Sequence, residues 1–124
     1  MTSPSANAHI EQAGANLAHA EWLLTTRSHD LTARQWAVTA IFYSALHAMT
    51  AHLLAQGVSV KSHTERVKAI MNPVHGVPLP VMQAYRRLEE KSRGARYELR
   101  VFATGDVRDL LDQELAIISA FAGM

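Results

Sequence analysis

Residues 36–60 form an uncharged run of 25 residues, and this run constrains the fold of the chain more than any other feature. Within it, Phe42, Leu46, Met49 and Leu53 recur at three- to four-residue spacing, which predicts one apolar face of an α-helix. The run is long enough to cross a membrane. Polar residues interrupt it, however, and no other segment is comparable. The run therefore predicts the central, buried helix of a helical domain.

The rest of the 124-residue chain also favours helices, because β-branched alternation is nearly absent and prolines and glycines cluster between periodic stretches. Hydrophobic residues make up 48% of the sequence, which is enough for a core at this length. We expect one all-α domain over residues 1–124, a compact antiparallel bundle of four to five helices. Gly94 is predicted to break the fourth helix, and residues 97–102 are predicted to form an extended connector.

Helix starts are predicted from capping signals. Ser3 before Pro4 is typical of the start of the first helix. Thr32 with Gln35 predicts a capping box at the start of the second helix, and Ser62 with Glu65 predicts another at the start of a short helix.

Composition excludes several classes of site. The chain has no cysteine, which rules out disulfides, thiolate nucleophiles and cysteine-ligated metals. It has seven histidines, but none lies three residues after a glutamate, as carboxylate-bridged metal bundles require, and His47 and His52 point about 140° apart on a helix. We therefore expect no metal and no cofactor. The first residues lack a basic segment followed by an apolar one, so we predict a cytoplasmic protein without a signal peptide or membrane span.

Charge is distributed unevenly along the chain. Residues 61–100 contain nine basic and four acidic residues, a balance of +5, and the remainder carries −4, which together give the net +1. Such asymmetry indicates either a face that binds anions or helix faces that are unevenly solvated.

Candidate binding residues fall in three groups. Tyr43 and His47 of the second helix lie one turn apart and share a face. His63 and Arg66 follow the Ser62 cap, where a helix N-terminus favours anions. Two arginines flank the predicted break at Gly94, with a tyrosine beside them. The structural alternatives are a satisfied polar pair inside the bundle for Tyr43 and His47, and surface solvation or loop anchoring through Glu89, Glu90 or Glu98 for the arginines. The predicted phosphate-binding set is Tyr43, His47, His63, Arg66, Arg93, Arg96 and Tyr97.

The order of three segments, WAVTAIFYSALHAMTAHL, SHTER and YRRLEEKSRGARYELRVF, resembles the HEPN domains across residues 13–121. The resemblance implies a helical bundle that usually forms a homodimer. Many HEPN domains are metal-independent ribonucleases of toxin–antitoxin, CRISPR and other defence systems. Others are not catalytic and bind RNA, a nucleotide, or a partner nucleotidyltransferase.

The sequence departs from the catalytic HEPN pattern, in which an arginine is followed by four to six residues and then a histidine. No arginine of this chain has a histidine at that spacing. Nuclease activity would need a base from another helix, and the candidate catalytic residues are then His47, His63, Arg66 and Arg96.

Three functions remain open from the sequence. The first is a non-catalytic module that binds RNA, a nucleotide or a phosphate-bearing partner, and the second is an atypical metal-independent ribonuclease. The third is an interaction subunit that dimerises or docks on an operon-encoded nucleotidyltransferase or antitoxin. Salt-dependent binding, RNA cleavage and loss of stability on mutation distinguish them.

Overall fold

A computed structural model describes residues 3–124, in which 79% helix and no strand confirm the predicted all-α class. The first four helices are α1 (Ala6–Thr26), α2 (Leu31–Ala55), α3 (His63–Met71) and α4 (Leu79–Tyr97). Helix α5 covers residues 104–122 without interruption and contains a π-helical stretch, Leu110–Leu115. A single 3₁₀ turn, Pro73–His75, lies in the proline-rich loop between α3 and α4.

The long helices run antiparallel in chain order. His9 contacts His47, and the Ser44 hydroxyl donates to the Ala13 carbonyl at 2.8 Å, so α1 and α2 run in opposite directions. Arg87 of α4 pairs with Glu114 of α5, so these helices are close neighbours on the side of the bundle away from α1. The result is a bundle in which α2 contacts every other helix.

Helix α2 is the central helix, as predicted. Phe42, Leu46, Met49 and Leu53 are all buried, and α1, α4 and α5 pack around them. Among the described residues, α2 is the one helix long and apolar enough to cross a membrane by length and composition, and 78% of its apolar window is buried inside the protein. Its apolar residues are thus accounted for by the core of the bundle.

One capping prediction is confirmed and two are wrong. The Ser62 hydroxyl accepts from the Glu65 N–H at 3.1 Å, as expected. Helix α2 is capped by Asp30, whose carboxylate accepts from the Thr32 N–H at 2.9 Å. Thr32 therefore lies inside the helix rather than at its cap. Helix α1 is capped by Ser5 rather than Ser3.

Gly94 does not break α4, which continues to Tyr97. Its missing side chain instead makes room for Arg100, because a Cβ at this position would lie 2.6 Å from the Arg100 Cζ. The chain leaves the helix only after Tyr97, and Leu99 takes a left-handed backbone conformation with φ of 52°. The predicted connector therefore begins one residue later than expected, and Arg93 and Arg96 lie on one continuous helix.

Candidate phosphate-binding face

A stripe of residues along α2 that runs from the exposed Trp36 to the buried Thr50 organises the candidate site. Trp36, Ala40, Tyr43, His47 and Thr50 follow each other at three- to four-residue spacing and therefore share one side of the helix. Side chains from α1, α3 and α4 converge on the polar members of this stripe. We call it the α2 stripe.

Helix α4 contributes Arg96 to the α2 stripe. The Arg96 guanidinium donates to the Tyr43 hydroxyl at 2.9 Å and lies 5.5 Å from the centre of that ring. The Tyr97 ring is 5.0 Å from the same guanidinium, so the arginine lies between two aromatic faces, an arrangement that favours a cation. The three residues were all predicted as site residues, and the structure brings them together.

Helix α3 contributes Arg66. This side chain is only 8% exposed, and its Nε donates to the Thr50 hydroxyl at 2.9 Å. A helix N-terminus was expected to present Arg66 to an anion, but the Ser62 hydroxyl accepts from the Glu65 N–H and the Glu65 carboxylate accepts from the Lys61 N–H beside it. Arg66 points inward instead, toward the middle of the bundle.

Helix α1 contributes His9, which sequence reasoning missed. The Nδ1 atoms of His9 and His47 are 2.8 Å apart, so one ring donates to the other. Burial lowers the pKa of both histidines below the ordinary value of 6.5, and the Arg66 charge lowers each pKa further. Tyr43 and His47 each find a hydrogen-bond partner within the bundle, Arg96 and His9, as the structural alternative for this pair expected.

His63 lies at the mouth of a neighbouring groove between α3 and α4. This groove has a volume of ≈ 340 Å³, and its charged lining comprises Lys68, Arg86, Glu89 and Arg93. Burial lowers the pKa of His63, and the charges of Arg66, Arg96 and Arg93 add to that effect against the opposing charge of Glu89. The His63 ring lies 6.0 Å from the ring of Phe42, the residue next to Tyr43, to which Arg96 donates.

The arginines divide into two groups by their partners. Within residues 3–124, Arg86, Arg87 and Arg100 each have a carboxylate within 4.0 Å, supplied by Glu89, Glu114, Glu90 and Glu98. Arg108 also has one, supplied by Asp112. Over the same residues, the site arginines Arg66, Arg93 and Arg96 have none, and outside the site Arg27 and Arg34 have none either. The carboxylates that were considered as anchors for the site arginines are thus paired with other basic residues.

Two hydroxyl groups of α4 lie in the core of the bundle. Tyr85 and Ser92 are fully buried, and neither hydroxyl has a hydrogen-bond partner within the described part of the chain. Burial raises the pKa of Tyr85 strongly, against the influence of the nearby Arg66 charge, so this phenol stays protonated. Sequence patterning gave no signal for either residue, since each occupies an ordinary core position.

The charged groups present suit an anion better than a metal. In residues 3–124 no group of three or more histidine, aspartate or glutamate side chains is placed to hold a metal ion. The predicted residues instead offer guanidinium N–H groups, which bind phosphate in a bidentate manner.

A scan against models of known protein families finds no match, and a search of curated proteins finds none either.

Proposed function

We propose that this chain is a HEPN-like helical module that binds RNA or a nucleotide through phosphate contacts, without cleaving it, as part of a toxin–antitoxin or other defence system. One observation carries the proposal: Arg93 and Arg96 lie on one helix, and neither they nor Arg66 has a carboxylate partner in residues 3–124. A phosphate would supply the missing negative charge.

The physical reason is the cost of an unpaired cation near a protein interior. Arg66 has lost nearly all contact with water and gains only a hydroxyl as its hydrogen-bond partner. Burial of a charge without a counter-charge is unfavourable by several kcal/mol in general. The charge of a phosphate bound at Arg93 and Arg96 would offset that cost without contact with the inward-pointing Arg66 side chain, so the arrangement that weakens the free protein favours the complex.

The test is the affinity for a 5′-labelled single-stranded RNA, measured by fluorescence anisotropy at increasing salt. Because each phosphate contact releases counterions, log K falls by about 0.7 per contact for each unit of log salt. We expect R93A and R96A each to weaken binding and to reduce this slope by about 0.7. The matched controls are R87A, on the same helix but paired with Glu114, and R108A, both of which should keep the slope. A wild-type affinity that does not change with salt would contradict the proposal.

A metal-independent ribonuclease is the second candidate, and the histidines favour it. His47 and His63 both have a lowered pKa, which keeps the imidazole neutral near pH 7, as a general base must be. Such a base would take the proton of a ribose 2′-hydroxyl, whose oxygen then attacks phosphorus. The bond from phosphorus to the 5′-oxygen breaks, and the 5′-oxygen takes a proton from water. An arginine would stabilise the charge on the phosphate.

Cleavage would leave 2′,3′-cyclic phosphate ends in the presence of a chelator. We expect H63A, H47A and R96A to abolish any such activity if it belongs to this site. If the three variants cleave a mixed RNA pool as fast as the wild type, the activity belongs to another site or to a contaminant.

A further inference from the structure

Trp36 is the exposed end of the α2 stripe. Its side chain is 59% exposed, although an indole of this size normally contributes to a core. Trp36 and Thr39 line two adjoining grooves. One groove, of ≈ 360 Å³, extends toward Tyr43 and His47 between α1 and α2.

The other groove joins this indole to a phosphate-binding group. It has a volume of ≈ 390 Å³, and its walls include Trp36 on one side and Arg96 and Leu99 on the other. Arg96 has no carboxylate partner in residues 3–124, as described above. A ligand in this groove therefore contacts both a flat aromatic surface and a positive charge that no carboxylate neutralises.

The other polar side chains of the groove are already engaged. The Gln35 amide donates to the Arg100 carbonyl at 3.0 Å, and the Thr39 hydroxyl donates to the Gln35 carbonyl at 3.2 Å. Few donors are left to read the edge of a base, so recognition here depends on stacking and charge. Every base has an aromatic face, so stacking on an aromatic side chain does not discriminate strongly among the four bases.

We infer that Trp36 stacks on an unpaired nucleobase whose phosphate binds Arg96, so that the ligand of this face is a nucleotide or an unpaired nucleotide of an RNA strand. This inference rests on the proposed phosphate-binding function and adds to it the class of ligand. It requires the base as well as the phosphate, and it predicts little preference among the four bases.

Intrinsic fluorescence tests the stacking directly. The chain has two tryptophans, and Trp22 of α1 is half-exposed and stacks on His19, so W22F leaves Trp36 as the only indole. We expect adenosine 5′-monophosphate to quench W22F in a saturable manner, and ribose 5-phosphate, which has the phosphate but no base, to leave it unchanged. The matched W36F variant reports Trp22 alone and should show no saturable quenching. Equal responses of W22F and W36F would overturn the inference.

Binding of single-stranded RNA provides the second test. We expect W36A to lower the affinity about tenfold, the usual effect of losing one stacked base, and W22A to leave it unchanged. If R96A weakens binding and W36A does not, the phosphate-binding function stands and the stacking inference is wrong. If neither RNA nor the nucleotide binds the wild type, both fail. A W36A variant that keeps its RNA affinity but changes its molar mass would show that Trp36 serves an interface between copies, which also overturns the inference.

Discussion

Arg66 is the residue whose environment is hardest to explain by stability alone. It is a buried guanidinium with no carboxylate partner in the described chain, and its Nε donates to a hydroxyl, Thr50. Removal of a buried charge is often neutral or stabilising when the replacement fills the same volume. Residues that lower stability in this way are common at binding sites.

Arg66→Met is therefore expected to leave the free energy of unfolding unchanged or to raise it by up to about 2 kcal/mol, while phosphate binding is lost. No new unpaired atom results at Thr50, because its hydroxyl keeps its bond to the Leu46 carbonyl. Chemical denaturation measures the first effect and RNA anisotropy the second. A loss of more than about 2 kcal/mol would show that Arg66 serves the fold.

The three site histidines predict a stability that depends on pH. The pKa of His9, His47 and His63 in the folded protein lies below the ordinary value of 6.5. The unfolded chain therefore binds more protons than the folded one once the pH drops below 6.5, and stability falls as the pH decreases. We expect this contribution to the free energy of unfolding to be fully present well above pH 6.5 and to be lost as the pH falls through 6.5 toward the lower pKa values of the folded protein.

His47→Gln should flatten this decline, since it removes one of the groups whose pKa is lowered and relieves the contact with His9. His29→Gln, at an exposed position before α2, is the matched control and should keep the wild-type profile. Thermal melts at closely spaced pH values measure both. Parallel profiles for all three proteins would mean that the histidine cluster does not set the pH dependence.

At the scale of elements, α4 shows how a glycine is used inside a helix. Glycine in a helix interior is less favourable than alanine by about 1 kcal/mol, yet Gly94 is retained where Arg100 folds back over the helix. The Arg100 guanidinium there pairs with Glu90 at 2.9 Å and Glu98 at 2.8 Å. These ion pairs are partly exposed, so each is worth little.

Gly94→Ala alone is expected to change stability by less than about 1 kcal/mol, because the gain in helix propensity is offset by displacement of Arg100. In an Arg100→Ala background, the same substitution should stabilise by about 0.5–1 kcal/mol, because nothing then occupies the space. A double-mutant cycle by urea denaturation measures the coupling. Equal effects of G94A in both backgrounds would show that Arg100 does not determine the choice of glycine.

A substitution of Tyr97, at the C-terminal end of α4, distinguishes a binding role of this residue from a structural one. Tyr97 is 73% exposed and touches Arg96 through its ring. Tyr97→Ala should therefore change the melting temperature little and weaken RNA binding, whereas an internal structural role would lower the melting temperature and leave binding intact. Differential scanning calorimetry and anisotropy on the same sample distinguish the two results.

At the scale of the whole molecule, the chain is expected to form a homodimer. Several large apolar side chains remain exposed on the described surface around the loop between α3 and α4: Met71, Val74 and Leu79. Symmetric pairing of two copies is the commonest way to cover such a surface. Light scattering should therefore give twice the 13.7 kDa of one chain, and a mass of 13.7 kDa at every concentration would contradict this prediction.

Local patterns predicted some elements well and others badly. The uncharged run around Phe42 identified the central helix because its apolar period is a property of consecutive residues, and Ser62 identified a helix start for the same reason. The prediction at Gly94 was wrong because one glycine costs a helix only about 1 kcal/mol, which the packing of α4 against α2 outweighs. The prediction at Thr32 was wrong because the Asp30 carboxylate accepts from the N–H of Thr32 itself, so the helix begins before Thr32.

The candidate site was predictable only in part. The sequence by itself determined that the chain is an all-α domain with a buried α2 and a basic segment over residues 61–100, since periodicity and charge are read along the chain. Only the tertiary structure decided that His9 meets His47, that Arg66 turns inward onto Thr50, and that the glutamates of α4 pair with arginines other than Arg93 and Arg96. These contacts join residues up to 38 positions apart, and which side chains meet at that distance depends on how the helices pack.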